Sequence, residues 1–327
     1  MELIVFVEPQ QGWTYDDLRR VALAAESHGF DGFFRSDHFL RMDAETAPPG
    51  STDAWATLAG LARETERIRL GTLLSAATFR LPGPLAVLAS TVDQMSGGRL
   101  ELGLGAGGFA DEHGAYGIPY PEEARTRRER WEEQLEILTR YFATVPGQTF
   151  SFAGAHYTMS DCPALPRPSQ RRVPLIVGGS GLARTPGIAA RYADELNIGF
   201  RPVEHLVASY RALDEACASI GRDPASVRRS AARTLCCGES LAEVERRAAA
   251  IGRDLGDLRA RGIAGTPDEA VAALARYAAI GVSRVYLQVL DLTDLAQLAL
   301  VGREVLPRAR DLHPEPRLAP ATQNTVN

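Results

Sequence analysis

Lysine is missing from this chain, and all 36 of its basic residues are arginines. A mechanism built on a lysine Schiff base or a lysine general base is therefore excluded. Cysteine is scarce. Cys162, Cys217, Cys236 and Cys237 form no CxxC pair and no metal-ligand spacing with the six histidines. That excludes a small disulfide scaffold and predicts a reduced, cytoplasmic protein without a metal centre. The adjacent Cys236 and Cys237 are read as strand packing. Long apolar runs are lacking too: Met1 to Val7 is too short for a signal peptide and has no basic lead, and no later run approaches a membrane span. A soluble protein without a membrane partner is expected. There is no dense basic cluster either, and with a net charge of −5 nucleic acid is a poor candidate partner.

What is present is a chain of 327 residues, 45% hydrophobic and 24% charged, long enough for one large domain. Short apolar runs alternate with longer amphipathic ones. LIVFV (3–7) reads as a strand, and YDDLRRVALAAESHG (15–29) as a helix opened by Thr14 and closed by Gly29. The couple recurs as GFFRSD with DAWATLAGLARETE, RLGTLL with GPLAVLASTVDQM, and RLELGLG with EARTRRERWEEQLEILTRYF. It continues with PLIVGG, ELNIGF, VRRSAARTLCCG and RVYLQVL, the seventh followed by a helical stretch through residue 280 and the last by a helix near 293–309. Eight pairs, with strands apolar on both faces, predict an α/β fold of the (β/α)8 barrel type over residues 1–312. Residues 145–172 break the alternation and read as a hairpin inserted between the fourth helix and the fifth strand. The Pro-rich polar segment 313–327 is expected to be a disordered tail. The alternative is a doubly wound open sheet, suggested by GLGAGG (103–108) after a strand. Against it, Pro119 and Pro121 delay the next helix to about residue 122, so the run reads better as a glycine-rich loop that lets a ligand approach the backbone.

In a barrel the active site lies at the C-terminal strand ends. FFRSDHFL (33–40) ends the second strand with Asp37 and His38 side by side. Glu8 and Gln10 end the first strand, Ser75 to Thr78 follow the third, Gly105 to Gly108 the fourth, and Gly178 to Gly181 the fifth. A histidine beside an acid at a pocket mouth suits proton transfer, although Asp37 also fits a turn cap. In IVGGSGLART, Gly178, Gly179 and Gly181 leave backbone N–H groups uncovered, Ser180 adds a hydroxyl, and a helix follows at once. That predicts an anion site suited to phosphate.

EPQQG (8–12), AESHGFDGFFRSDHF (25–39), RIRLGT (67–72), TVDQMSGGRLELGLGAGG (91–108), DEHGAYGIPYP (111–121), PLIVGGSGLART (174–185), ARYADELN (190–197) and AGTPDEA (264–270) together resemble the luciferase-like flavin and deazaflavin oxidoreductases. The likeness runs from about residue 3 to 310, and SDH is most similar to the branch that uses coenzyme F420. The resemblance implies a TIM barrel with a cofactor ring at the centre of the mouth. His38 would stand beside the ring, Asp37 at its edge, and Leu73, Leu74 and Ala76 against one face, with a cis peptide at Leu73-Leu74. Gly105, Ala106, Gly107 and Gly108, together with Gly178, Gly179, Ser180 and Gly181, would hold the cofactor side chain and phosphate. Glu8, Gln10 and Met42 are candidates for the substrate pocket. F420-dependent sugar-phosphate dehydrogenases of this family carry a tryptophan four residues past the histidine and a glutamate after the glycine loop. Met42 and Gly108 hold those places here, which argues against a sugar phosphate. The expected activity is hydride transfer between F420 and a small organic substrate, with an FMN-dependent monooxygenase as the alternative. A homodimer through helices two and three is expected from the same resemblance.

Overall fold

In a computed structural model of the protein, residues 1–42, 48–179, 181–182 and 184–314 are described. Eight parallel strands close on themselves: β1 (Glu2–Val7), β2 (Gly32–Arg35), β3 (Arg69–Thr72), β4 (Leu100–Gly105), β5 (Leu175–Gly178), β6 (Glu195–Gly199), β7 (Arg228–Cys237) and β8 (Arg284–Val289). Closure is made by β8, which pairs with β7 on one side and β1 on the other. An open doubly wound sheet has no such pairing, so the barrel reading holds.

Because side chains alternate across a strand, each strand feeds two cores. Leu3, Val5 and Val7 of β1 join the layer between strands and helices. Ile4 and Phe6 face inward and meet Phe34, Leu73, Ile176, Ala232 and Tyr286 in the barrel interior. In β2, Phe33 faces the helices and Phe34 the interior, and the strand ends at Arg35 with Ser36, Asp37 and His38 following at the mouth.

Helix α1 (Tyr15–Ser27) starts at a capping box in which the Thr14 side chain accepts from the Asp17 N–H and the Asp17 side chain answers the Thr14 N–H. Helix α2 spans Ala54–Glu64, α3 Pro82–Met95 and α4 Ala124–Ala143. Along α4, Trp131, Gln134, Leu135, Leu138, Tyr141 and Phe142 are buried at helical spacing, and the Trp131 indole N–H donates to the Leu104 carbonyl at 3.0 Å, fixing the helix on β4. The expected hairpin is present as Phe150–Ala153 and Thr158–Cys162, antiparallel. Its turn is held by Glu133 of α4, whose carboxylate accepts from the N–H groups of Ala155, His156 and Tyr157.

Three stretches depart from the sequence reading. A short helix, Ala110–Ala115, stands in the loop after β4, ahead of the prolines that delay α4. The stretch through residue 280 is not one helical run: it divides into helices Leu241–Ala250 and Leu255–Arg261, a strand Ile263–Gly265, and helix Pro267–Ala278. Gly252 at φ +63° breaks the first run, and the strand exists because the ten-residue β7 overhangs its neighbours and pairs Leu235 to Cys237 with Ile263 to Gly265. The last helix opens into a π turn at Val301–Val305 just before Pro307, which has no N–H to continue the ladder. From residue 315 on, the tail lies outside the described residues.

Candidate active site

His38 follows the mouth end of β2, half-buried, with its Nδ1 3.0 Å from Glu112 Oε2. Glu112 comes from the short helix Ala110–Ala115 and is fully buried. Its other oxygen accepts from the N–H groups of Phe39 and Leu40, the latter at 3.0 Å. One carboxylate therefore fixes both the imidazole and the loop that carries it. Burial alone would lower the His38 pKa, but the hydrogen bond and charge of Glu112, with Asp37 and Glu8, outweigh it and raise the pKa above the ordinary imidazole value. Burial pushes the Glu112 carboxyl up, and its bonds to His38, Leu40 and Phe39 outweigh that and hold it below the usual range. His113, next along, is buried and spans Phe109 O and Thr78 Oγ1, each at 2.7 Å, which pins the short helix to the loop after β3.

Asp37, the neighbour of His38, is buried, accepts from Ser75 Oγ at 2.7 Å, and pairs with Arg80 at 2.5 Å. Arg80 also reaches Asp53 at 2.8 Å. Arg35 is fully buried and binds Thr52, Thr57 and the Asp53 carbonyl; burial lowers its pKa to about 10. These bonds tie Asp37 to the segment after β3 at the rim of the mouth. Gln10 is likewise buried, its Oε1 accepting from Ser36 Oγ at 2.6 Å. Glu8 is half-buried and accepts from Gln288 Nε2 at 2.6 Å. Met42 is 64% exposed.

The floor of the mouth is the Leu73-Leu74 segment, and its peptide bond is cis. Beyond it Ser75–Ala76 pairs with the end of β4. Leu74 fits between strands because Gly178 has no side chain: a Cβ there would lie 2.6 Å from Leu74 Cδ1. A cavity of about 290 Å³ opens over this floor, lined by Phe6, Leu73, Leu74, Gly179, Asn197, Phe200 and Arg201 among others. Gly179 has φ +153°, a conformation L residues rarely adopt. Gly107 has φ +76°, and a Cβ on it would meet Thr78 Oγ1 at 2.3 Å. A Cβ on Gly108, by contrast, meets nothing within 4 Å. Of the two glycine runs, Gly108 faces open space and Gly179 lines the cavity, while Gly105 packs on Leu74, Gly107 on Thr78 and Gly181 on Thr185. Gly181 precedes the helix Thr185–Tyr192, whose first turn is partly closed: the Thr185 N–H donates to the Gly181 carbonyl at 3.2 Å, Pro186 has no N–H, and the Gly187 N–H is left without a partner among the described residues. Ser180 lies outside the described residues. An apolar floor beside glycine-rich loops suits a planar ring.

A larger cavity, about 1110 Å³, opens at the opposite end of the barrel. Its charges satisfy one another. Arg284 is fully buried and reaches Glu101 at 2.5 Å, Glu195 at 2.9 Å and Glu2 at 2.6 Å, while Arg69 pairs with Glu101. Tyr286 and Ser230 donate to Glu195 at 2.7 and 2.6 Å. This is a structural plug at the end of the barrel that serves stability.

The family model described as luciferase-like monooxygenase matches residues 1–257. The chain belongs to the luciferase-like monooxygenase family. One relative is the F420-dependent glucose-6-phosphate dehydrogenase of Microbacterium testaceum, 32% identical over 212 residues, 63% of this chain and 60% of that protein. The match spans between 50% and 60% of the length of three such dehydrogenases. In structure the barrel is similar to an F420-dependent secondary alcohol dehydrogenase in complex with an F420-acetone adduct, with a TM-score of 0.80, 19% identity, and coverage of 95% of this chain and 99% of that one. It is also similar to the FMN-bound oxygenating constituent of 3,6-diketocamphane monooxygenase of Pseudomonas putida, with a TM-score of 0.73, 17% identity, and coverage of 94% and 98%. At these identities the structural likenesses establish the fold.

As a luciferase-like barrel, the chain carries His38, Asp37, Glu8, Gln10, Leu73, Leu74, Ala76 and the two glycine runs at the same end of its strands, with Asp37 and Gln10 buried there. Glu112 escapes a reading of strand ends. It lies four residues beyond Gly108, where a glutamate was sought, and the signal for it was the acid beside a histidine in DEHG.

Proposed function

We propose that the protein is an F420-dependent oxidoreductase that moves a hydride between the deazaflavin and a small organic substrate, a C=C or C=N bond or an alcohol. The observation that carries this reading is the half-buried His38, held by the buried Glu112, at the same mouth as the Leu73-Leu74 floor and the glycine-rich loops. The hydride chemistry is that of the deazaflavin when bound. The chain's part is to hold, orient and exchange protons. Leu73, Leu74 and Ala76 support one ring face. The loops of Gly105, Ala106, Gly107 and Gly108 and of Gly178, Gly179 and Gly181 would hold the cofactor side chain, with Gly108 facing open space, and the Gly187 N–H of the Thr185–Tyr192 helix would be left to the phosphate. Glu112 fixes the imidazole through Nδ1, which leaves His38 Nε2 to exchange a proton with substrate. Met42 and Glu8 border the substrate. No helix among the described residues is long and apolar enough to cross a membrane, in keeping with a cytoplasmic enzyme.

Titration of the purified protein with F420 and with FMN tests this reading. F420 fluorescence should be quenched on mixing, with tighter binding than FMN. A Gly108→Leu variant, which fills open space without backbone strain, should melt like the parent and bind F420 more weakly. Preference for FMN would move the protein to flavin monooxygenase chemistry on the same barrel.

A further inference from the structure

Thr234, Gln288 and Glu8 form a chain of side chains across three adjoining strands. Thr234 and Gln288 are register partners on β7 and β8, and Gln288 is the register partner of Phe6 on β1. Glu8, two residues past Phe6, continues the same inward row. Thr234 Oγ1 donates to Gln288 Oε1 at 2.6 Å, and Gln288 Nε2 donates to Glu8 Oε2 at 2.6 Å. A glutamine amide has one acceptor end and one donor end. With its oxygen taken by Thr234, Gln288 can present only N–H to Glu8. Oε1 of Glu8 has no hydrogen-bond partner among the described residues.

We propose that Glu8 is a second proton-holding group of the mouth, its Oε1 carrying the proton that substrate receives, with Gln288 and Thr234 as the residues that position it. The proposal rests on the oxidoreductase reading. In carbonyl reduction a bound deazaflavin would supply the hydride to the carbon and one proton to the mouth. The O–H bond of Glu8 would break as the substrate O–H bond forms, His38 Nε2 would take up the proton set free at the mouth, and the Glu8 carboxylate would regain its proton from that store. One proton arrives and one departs at different atoms, and His38 with Glu8 provides two holders for them. Burial pushes the Glu8 carboxyl up from its usual range, against the Gln288 hydrogen bond and the charges of His38 and Arg253, which lower it. Glu8 in turn joins Glu112 and Asp37 in raising His38.

The test uses Glu8→Gln, Gln288→Leu and Thr234→Val in the full chain. Its first readout needs no cofactor. A carboxyl raised by folding contributes stability below the usual carboxylate range, and that stability is lost as pH rises through the raised value. Unfolding temperature should therefore fall more steeply with pH in the parent than in Glu8→Gln, and identical slopes would overturn the proposal. With cofactor, Glu8→Gln should keep its F420 affinity while single-turnover hydride transfer drops roughly 10²–10⁴-fold. Gln288→Leu, having lost the donor that favours the carboxylate, should move the Glu8 limb of the pH profile upward, and Thr234→Val should move it the same way by less. Normal turnover by Glu8→Gln, or an unmoved limb in Gln288→Leu, would also overturn it. Failure of the parent to bind F420 would remove the oxidoreductase reading instead, and the unfolding slopes would still show whether Glu8 holds a proton.

Discussion

Replacing Glu112 with glutamine changes one oxygen for an NH2 group and should disable His38 without emptying the site. The buried carboxylate accepts from Phe39 and Leu40 through Oε1 and meets His38 Nδ1 through Oε2. Glutamine keeps one acceptor, which the two backbone N–H groups will claim, so its NH2 faces Nδ1. A neutral imidazole then has to accept at Nδ1 and carry its proton on Nε2, the reverse of the tautomer that Glu112 imposes. The ring nitrogen facing the mouth becomes a donor that cannot take a proton. The loss of a charge-assisted hydrogen bond costs about 1.5–3 kcal/mol, or about 2–4 °C in unfolding temperature for a chain of this length. Turnover should fall roughly 10²–10⁴-fold. The pH dependence has a definite sign. In the parent the folded His38 pKa is raised, so the stability from the charged pair is full below the ordinary imidazole pKa and is lost as pH rises through the folded value. In Glu112→Gln the His38 limb should move to lower pH, and the extra stability on the acid side should vanish. Single-turnover rates and melting curves across pH measure both, and ¹⁵N spectra of the ring report the tautomer. A variant with the parent's His38 limb and the parent's tautomer would refute the argument.

His38→Ala should leave the barrel folded, because the side chain faces a wet mouth rather than the core, and should lower turnover by roughly 10²–10⁴-fold with little change in F420 affinity; normal turnover by the folded variant would remove His38 from the chemistry. The outer faces of α2 and α3, where Ala56, Leu81 and Val87 are exposed, are proposed to pair with a second copy. Sedimentation should show a dimer that Val87→Arg weakens, and a monomeric parent would reject that surface.

The barrel was legible because its strands are apolar on both faces and its helices amphipathic, a pattern few other folds produce. The adjacency of Asp37 and His38 was visible, but their partners were not: His38 meets Glu112 and Asp37 meets Ser75 and Arg80, all distant in sequence. The DEHG run shows Glu112 as an acid beside a histidine, but nothing local ties it to His38. Asp111, Glu112 and His113 follow one another, yet the first is exposed and the other two buried, and the partner of Glu112 lies 74 residues away. The break after β7 was hidden for a similar reason, since Ile263–Gly265 becomes a strand only beside the overhang of Leu235 to Cys237.

The ionic plug around Arg284 has a consequence for traffic. With Glu101, Glu195 and Glu2 closed on the guanidinium, the barrel is a cup rather than a tube, so everything enters and leaves by one door. In the proposed complex a ring resting on Leu73-Leu74 would lie beneath whatever binds above it. The large partner would then arrive first and depart last, while small substrates come and go over it. A compulsory binding order is the kinetic consequence of that cup.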